Sequence, residues 1–388
     1  MTRKGVWNLQ QVRDKYLQSL WVNSNQLFAW GQNAYGELAQ NDRTSRSSPT
    51  QIPGTTWADI NPYGKATVYG EHWSITTKTD GTLWAWGINN RGQLGQNNIT
   101  NYSSPVQVGS DTTWDYVDGG GGQVLAIKTD GTGWVWGRNY MGQLGLNQTS
   151  YDGYSSPVQL PGTWSKFKAS KYESFGTKTD GTLWAWGYNS QGILGQNNRT
   201  AYSSPTQIPG TTWVDIDGSF HMIASKTDGT LWSWGYGGYG EIGQNNLTNY
   251  SSPVQIPGTS WTIASVYANY AISMAMKTDG TLWAWGGNAK GQLGQNEGGS
   301  IPAGGTYYSS PVQVPGTDWS NKGALGYNRT FAIKTNGELW SWGYNAPGGQ
   351  LGHNDIINYS SPTQIPGTWN SVLASHTHTY AIKKLLTD

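Results

Sequence analysis

Apolar residues come in short runs separated by glycine, asparagine, serine and proline, and the same succession returns along the chain. Ala126-Ile127-Lys128 leads into Thr129-Asp130-Gly131-Thr132, and in each copy a run such as Leu83-Trp84-Ala85-Trp86 follows that turn. Asp-Gly predicts a hairpin, because glycine accepts a positive φ and aspartate tolerates one. The Leu-Trp-Ala-Trp run has the aromatics of a buried strand. The Gly-x-Asn-x-x-Gly-Gln-Leu-Gly that follows reads as a glycine-punctuated loop. Ser-Ser-Pro-Val-Gln-Ile-Pro-Gly places a short strand between two prolines, and proline cannot donate to a ladder, so this strand is expected at an outer edge. Trp-x-x-Ile/Val then starts the next inner strand. The pattern predicts about four strands per 50 residues, with no helical period between them.

Three markers keep this count. The second tryptophan of the strand falls at Trp30, Trp86, Trp136, Trp186, Trp234, Trp285 and Trp342. Ser-Ser-Pro ends at Pro49, Pro105, Pro157, Pro205, Pro253, Pro311 and Pro362. A lone tryptophan follows each: Trp57, Trp114, Trp164, Trp213, Trp261, Trp319 and Trp369. With the first tryptophan of the strand, which Phe28 replaces in one copy, the two tryptophan markers account for 20 of the 23 tryptophans, which are therefore mainly architecture. A four-stranded unit repeated seven times predicts an all-β, seven-bladed β-propeller.

The units resemble regulator-of-chromosome-condensation repeats, through Trp-Gly-x-Asn-x-x-Gly-Gln-Leu-Gly at 86–95, 136–145 and 285–294 and the downstream proline. The resemblance covers residues 19 to 383 and implies a seven-bladed propeller. No Trp-Asp pair closes the units, which separates them from WD-type repeats. The inner strand ending in lysine recurs at Lys78, Lys128, Lys178, Lys226, Lys277, Lys334 and Lys383. The last copy follows the seventh outer strand, so residues 369–384 are expected to pair beside Leu27–Gly31 and lock the circle. Leu20–Val22 competes for the same place. The expected organisation is a leader over residues 1–18 and a propeller over 19–388.

Within residues 8–20, Leu9, Val12, Tyr16 and Leu20 recur at helical spacing. A short helix capping one face is one reading. An anchor made by Trp7, Leu9, Val12 and Tyr16 is the other, since Gly5-Val6-Trp7-Asn8-Leu9 resembles leaders on structural proteins of bacterial viruses.

Charge adds little to this picture. Lys+Arg is 24 and Asp+Glu is 23, so nothing points to nucleic acid or to membrane insertion. There is no cysteine, which excludes disulfides, thiol nucleophiles and thiolate metal sites. No apolar run is long enough to span a bilayer, and Met1–Asn8 lacks the apolar core of a signal peptide.

No catalytic constellation emerges, and no cofactor or metal is expected. Asp80, Asp130, Asp180, Asp228 and Asp279 read as turn residues repeated by symmetry, and Asn336 replaces one. There is no Gly-x-Ser-x-Gly elbow and no phosphate loop. The position five before the repeated lysine varies: Trp73, Gln123, Glu173, His221, Ile272, Arg329 and His378. The family usually has a structural histidine there, matched only by His221 and His378. These side chains either pack locally or line a central channel, where Glu173, His221, Arg329 and His378 are the binding candidates. The repeated lysines are expected to be compensated by the turn aspartates beside them. Tyr102, Tyr154, Tyr202, Tyr250, Tyr308 and Tyr359 suit glycan or protein contact, or packing between units. The insertions Asn61–Tyr69, Tyr151–Tyr154 and Glu297–Tyr308 escape the symmetry, and Tyr307 and Tyr308 join the candidate contacts.

The sequence supports a non-enzymatic structural or adhesion protein of a bacteriophage virion, on the tail or capsid exterior. It would be assembled in the host cytoplasm and would contact other virion proteins, a host-surface protein or a glycan. A cellular protein-binding propeller is the alternative, either an enzyme inhibitor or a guanine-nucleotide exchange regulator. The exchange activity implied by the family uses a basic tail and an inserted hairpin that have no counterpart here.

Overall fold

The computed structural model describes residues 26–54, 56–58, 72–297, 307–375 and 377–383. The expected N-terminal helix and its anchor residues Trp7, Leu9, Val12 and Tyr16 lie outside the described residues, as do Leu20–Val22 and Asn61–Tyr69. Among the described residues every regular element is a strand.

The chain opens with β1 (Gln26–Gly31) and β2 (Arg46–Gln51). A three-stranded sheet follows, β3 (Trp73–Thr77), β4 (Leu83–Gly87) and β5 (Tyr102–Gln107). The isolated bridge Trp57↔Lys78 adds a fourth, innermost position to it. The next sheet holds β6 (Trp114–Gly119), β7 (Gln123–Lys128), β8 (Thr132–Asn139) and β9 (Ser150–Thr163). After it come β10 (Lys166–Ala169), β11 (Glu173–Thr177), β12 (Leu183–Gly187) and β13 (Tyr202–Ile208). The pattern repeats in β14 (Trp213–Gly218), β15 (His221–Lys226), β16 (Leu231–Gly235) and β17 (Tyr250–Gln255). It repeats again in β18 (Trp261–Asn269), β19 (Ile272–Lys277), β20 (Leu282–Gly287) and β21 (Tyr307–Gln313). The chain ends with β22 (Trp319–Gly326), β23 (Arg329–Lys334), β24 (Glu338–Gly343), β25 (Tyr359–Ala374) and β26 (His378–Lys383).

All pairings are antiparallel neighbours in sequence, with one exception. β26 pairs on one side with β25, Leu373↔Tyr380, and on the other with β1 at the far end of the chain, Leu27↔Ile382 and Ala29↔Tyr380. Strand β25 serves two units. Its first part pairs with β24 as an outer strand, and its second part pairs with β26 as an inner one.

The third strand of each unit explains the tryptophans. In β12, Leu183 and Ala185 are buried on one face, while Trp184 and Trp186 occupy the other. Trp186 is fully buried and Trp184 only partly so. The buried indole crosses to the preceding unit, where Trp186 Nε1 donates to the Gln143 carbonyl at 2.9 Å. Trp86 reaches Glu37, Trp136 reaches Gln93, Trp234 reaches Ile193, Trp285 reaches Glu241, Trp342 reaches Gln292 and Trp30 reaches Gln350 in the same way. A second set of hydrogen bonds runs the other way, from each unit to the one that follows. Asn97 N donates to Ser155 O, Asn147 N to Ser203 O, and so on to Asn354 N on Ser47 O. The succession therefore returns to its start. The seam needs glycine at the loop: a Cβ on Gly192 (φ +77) would come within 2.7 Å of Ser251 Cα.

Candidate functional site

Each unit has two ends. At one, the Asp-Gly turn joins the second and third strands. Thr82 N and Oγ1 donate to Asp80 Oδ1 at 3.0 and 2.6 Å, and Thr182, Thr230 and Thr281 do the same to Asp180, Asp228 and Asp279. The threonine hydroxyl, the first cause, holds these carboxyls below the ordinary aspartate value. The repeated lysines lie over indoles. Lys178 Nζ is 4.1 Å from the Trp184 ring centroid and 5.2 Å from Trp164, with equivalent contacts for Lys78, Lys128, Lys226, Lys277 and Lys334. This end spends its charge on its own architecture.

At the other end, the residue after Trp-Gly meets the residue that precedes the second strand. Tyr188 N donates to Tyr172 O, Tyr236 N to Phe220 O and Arg138 N to Gly122 O. The repeat places no demand on the side chains here. The equivalents of Tyr188 are Gln32, Ile88, Arg138, Tyr236, Gly287 and Tyr344. In the two units from β10 to β17 these free positions turn aromatic, Tyr172 with Tyr188 and Phe220 with Tyr236. Tyr172, Tyr188, Phe220, Tyr236, Tyr239 and Tyr270 wall a cavity of about 320 Å³, completed by Lys171, Glu173, Ser190, Gln191 and Ile193. The rings form edge contacts: Tyr172 with Tyr188 at 6.4 Å, Phe220 with Tyr270 at 5.5 Å, and Tyr236 with Tyr239 at 6.0 Å. Tyr239 is 42% and Tyr188 36% exposed, so the lining is open to a partner. Burial raises the Tyr236 and Tyr270 phenols above their ordinary value, leaving neutral hydroxyls.

Two carboxyls stand under this surface. Glu173 is buried, its Oε2 accepts the Tyr172 amide at 3.1 Å, and burial pushes its carboxyl up to about 7. Glu241 replaces the loop glutamine of other units. Its Oε2 accepts Tyr239 N at 2.7 Å, its Oε1 has no hydrogen-bond partner, and burial again pushes it up to about 7.

The other sequence candidates scatter. His221 is fully buried, with Nε2 2.6 Å from Ser273 Oγ, and burial lowers its pKa to about 3. His378 is fully buried between Thr377 and Ser74. Arg329 is 1% exposed and donates to the Ser375 carbonyl at 2.9 Å. Each of these three reaches a residue of a neighbouring unit, and only Glu173 of the four binding candidates lines the cavity. Tyr307 is 46% exposed in β21, and Tyr308 Oη donates to Glu297 Oε2 at 2.8 Å. Tyr102, Tyr154, Tyr202, Tyr250 and Tyr359 pack partly buried against the cores between units. Among the described residues no group of three or more His, Asp or Glu is placed to hold a metal.

Sequence reasoning missed the tyrosine cavity because its members are dispersed from 172 to 270 at unmarked positions. It also missed a charge ladder on the innermost strands. Lys168 Nζ lies 2.7 Å from Asp217 and 3.6 Å from Asp118, and Lys166 pairs with Asp215. The signal was legible: Asp118, Lys168 and Asp217 occupy matching places and change sign from unit to unit, as do Lys166 and Asp215.

The repeat profile described as "Regulator of chromosome condensation (RCC1) repeat" matches residues 24–60, 80–127, 180–221, 228–276, 279–333 and 336–382, more than two thirds of the chain. A second profile of the same description matches 263–292. Among solved structures, human WBSCR16 superposes with a TM-score of 0.78 at 18% identity, covering 93% of this chain and 100% of that one. Prp20p from Saccharomyces cerevisiae gives 0.80 at 18%, covering 95% and 93%. Yeast RCC1 (Prp20) with Kap60 bound gives 0.79 at 18%, covering 95% and 90%. At this identity the likeness establishes a shared propeller fold.

Proposed function

The chain belongs to the regulator of chromosome condensation (RCC1) repeat family, and we propose that it is a non-enzymatic binding module: a ring of seven four-stranded blades that presents its tyrosine-lined end to a partner. The observation that carries this reading is the cavity walled by Tyr172, Tyr188, Phe220, Tyr236, Tyr239 and Tyr270. The repeat does not require aromatics there, and tyrosine offers amphipathic area at low entropy cost. Its volume of about 320 Å³ reaches the range of ligand sites. The buried carboxyls below it are held by backbone amides, which suits support of the surface better than proton transfer.

The yeast relative is described with its binding to Gsp1p and histones, and in a complex with Kap60. Only the use of a propeller to hold another macromolecule is carried over to this chain. The leader Gly5-Val6-Trp7-Asn8-Leu9, with Val12 and Tyr16 in helical phase, supports a place on the exterior of a bacterial virus particle, with residues 1–20 as the anchor. The partner is then a second virion protein or a host-surface protein or glycan. A cellular protein-binding role is the second reading, favoured by the protein partners of the yeast relative.

Two experiments test these readings. Mass spectrometry of purified particles from the source contains the chain under the virion reading and lacks it under the cellular one. The double variant Tyr188→Ala/Tyr239→Ala keeps its melting temperature and weakens binding to host cells or to the partner by about tenfold or more. Unchanged binding rejects the tyrosine surface.

A further inference from the structure

Beside the tyrosine cavity lies a smaller hollow of about 80 Å³, lined among others by His72, Asn90, Arg91, Gln93 and Arg138. Arg138 lies near the end of β8, and Arg91 comes from the loop after β4, so two adjacent units supply it. Neither arginine belongs to the repeat. The equivalents of Arg91 are Tyr35, Met141, Gln191, Tyr239 and Lys290.

Both guanidiniums are held in place. Arg91 lies 5.4 Å from the Tyr151 ring, and Arg138 lies 5.3 Å from Tyr140 and 6.0 Å from Tyr172. The Nε of each is buried and has no hydrogen-bond partner. Among the described residues no carboxylate forms an ion pair with either. The nearby Glu37 is engaged by His72 at 3.2 Å and by Tyr35 N at 2.7 Å. Two fixed guanidiniums line one hollow, and the positive charge they bring there without an acid is what an anion completes.

We infer that this hollow is the acid-group subsite of a sugar-binding surface: the chain takes an anionic oligosaccharide, its carboxylate or sulfate between Arg91 and Arg138 and its rings on the adjoining tyrosines. The guanidinium fork matches either acid group. The rings are continuous from one hollow to the next, Arg138 over Tyr172 and Tyr172 against Tyr188. A sugar fits better than an acidic peptide, because the backbone groups around the hollow are already used. Ile88 N donates to His72 O, Arg138 N to Gly122 O and Gly121 N to Ser170 O. What remains is side-chain amide, guanidinium and ring face, which suits hydroxyls and C–H edges.

This inference rests on the reading of the tyrosine cavity as a binding surface. Calorimetric titration of the full chain tests both with four probes: a glucuronate-bearing tetrasaccharide, its neutral glucose counterpart, a sulfated disaccharide and a glutamate-rich peptide. The acidic sugars bind about tenfold or more tighter than the neutral one. Arg91→Gln and Arg138→Gln each remove that preference without weakening the neutral sugar, and the tighter of the carboxylate and sulfate probes identifies the acid group. Arg91→Lys and Arg138→Lys keep the charge but not the fork and give an intermediate loss, which also serves where a glutamine variant fails to fold. Tyr188→Ala weakens acidic and neutral sugars alike. Equal affinity for acidic and neutral sugars, tighter binding of the peptide, no sugar binding, or a response to inorganic sulfate alone (an adventitious ion only) overturns the inference. If Tyr188→Ala disrupts binding to host cells while the arginine variants do not, the acid subsite falls and the tyrosine surface stands.

Discussion

A buried indole has one polar atom, and in this chain its fate divides the tryptophans into two kinds. Trp136 Nε1 donates to the Gln93 carbonyl at 3.0 Å across a seam. Trp114 Nε1 is buried without a partner, and the ring instead receives Lys128 at 5.0 Å. Their places in the repeat tell the two series apart, but nothing in the sequence shows which indole is bonded. Replacing Trp136 by phenylalanine removes volume and leaves a buried carbonyl unmatched, whereas Trp114→Phe removes volume and relieves an orphan donor. Urea denaturation should show Trp136→Phe less stable than Trp114→Phe by about 1 kcal/mol or more. Glu173 and Glu241 allow a second test. Their carboxyls titrate near 7 in the fold, above the ordinary glutamate value of 4.5, because burial disfavours the charge. The folded chain therefore keeps protons that the unfolded chain has released between these values. Their contribution to stability is greatest below about pH 4.5, declines as pH rises to about 7, and is flat above. Glu173→Gln and Glu241→Gln should each flatten the fall in unfolding free energy from pH 5 to 8, by up to about 3 kcal/mol per site. An unchanged slope in both variants would contradict the burial of these groups.

At the scale of elements, the strands were legible because turn chemistry and the alternation of β4, β8, β12, β16, β20 and β24 agree with each other. The pairing of β26 with β1 was legible from the count of lysine-ended strands. Contacts between units have no local mark, since partners such as Lys168 and Asp217 are 49 residues apart, and they show only when matching places of successive units are compared. Breaking that ladder should be costly. Lys168→Met leaves Asp118 and Asp217 without their shared cation and should destabilise by about 3–5 kcal/mol, measured by chemical denaturation. A loss below 1 kcal/mol would mean that the backbone amides of Ala169 and Ala268, which also donate to these carboxylates, suffice alone. The chain-end seam has its own device. Tyr380 Oη meets Ser74 Oγ at 2.6 Å, accepts Trp86 Nε1 at 3.2 Å and donates to the Glu37 carbonyl, so one hydroxyl ties β26 to the first two units. Tyr380→Phe should lower stability by about 1–3 kcal/mol. Equal stability would assign the closure to the strand ladder alone.

For the whole molecule, the candidate site was the least legible part, because it is defined by departure from the repeat. Symmetry makes Asp80 or Lys178 conspicuous and uninformative, while Tyr188 and Arg138 look accidental until the units stand side by side. Closure also predicts the mode of unfolding. Units stacked in an open array gain and lose structure from their ends, but here β1 is held by β26. Scanning calorimetry of the full chain should show one transition. A chain ending at Ser375 lacks β26 and should melt earlier and in more than one step; a single unchanged transition would contradict the role of that pairing.

The return of the tryptophan–carbonyl series from Gln350 to Trp30 also bears on how such a molecule changes over generations. A linear solenoid lengthens by copying one module at its tip, with the neighbours undisturbed. A circle has no tip: a duplicated module must alter the angle between every pair of wedges at once. Drift within a fixed number of modules is therefore the accessible route to new specificity, and it acts where the architecture is indifferent to the side chain, at the positions now held by Tyr188, Tyr236 and Arg138.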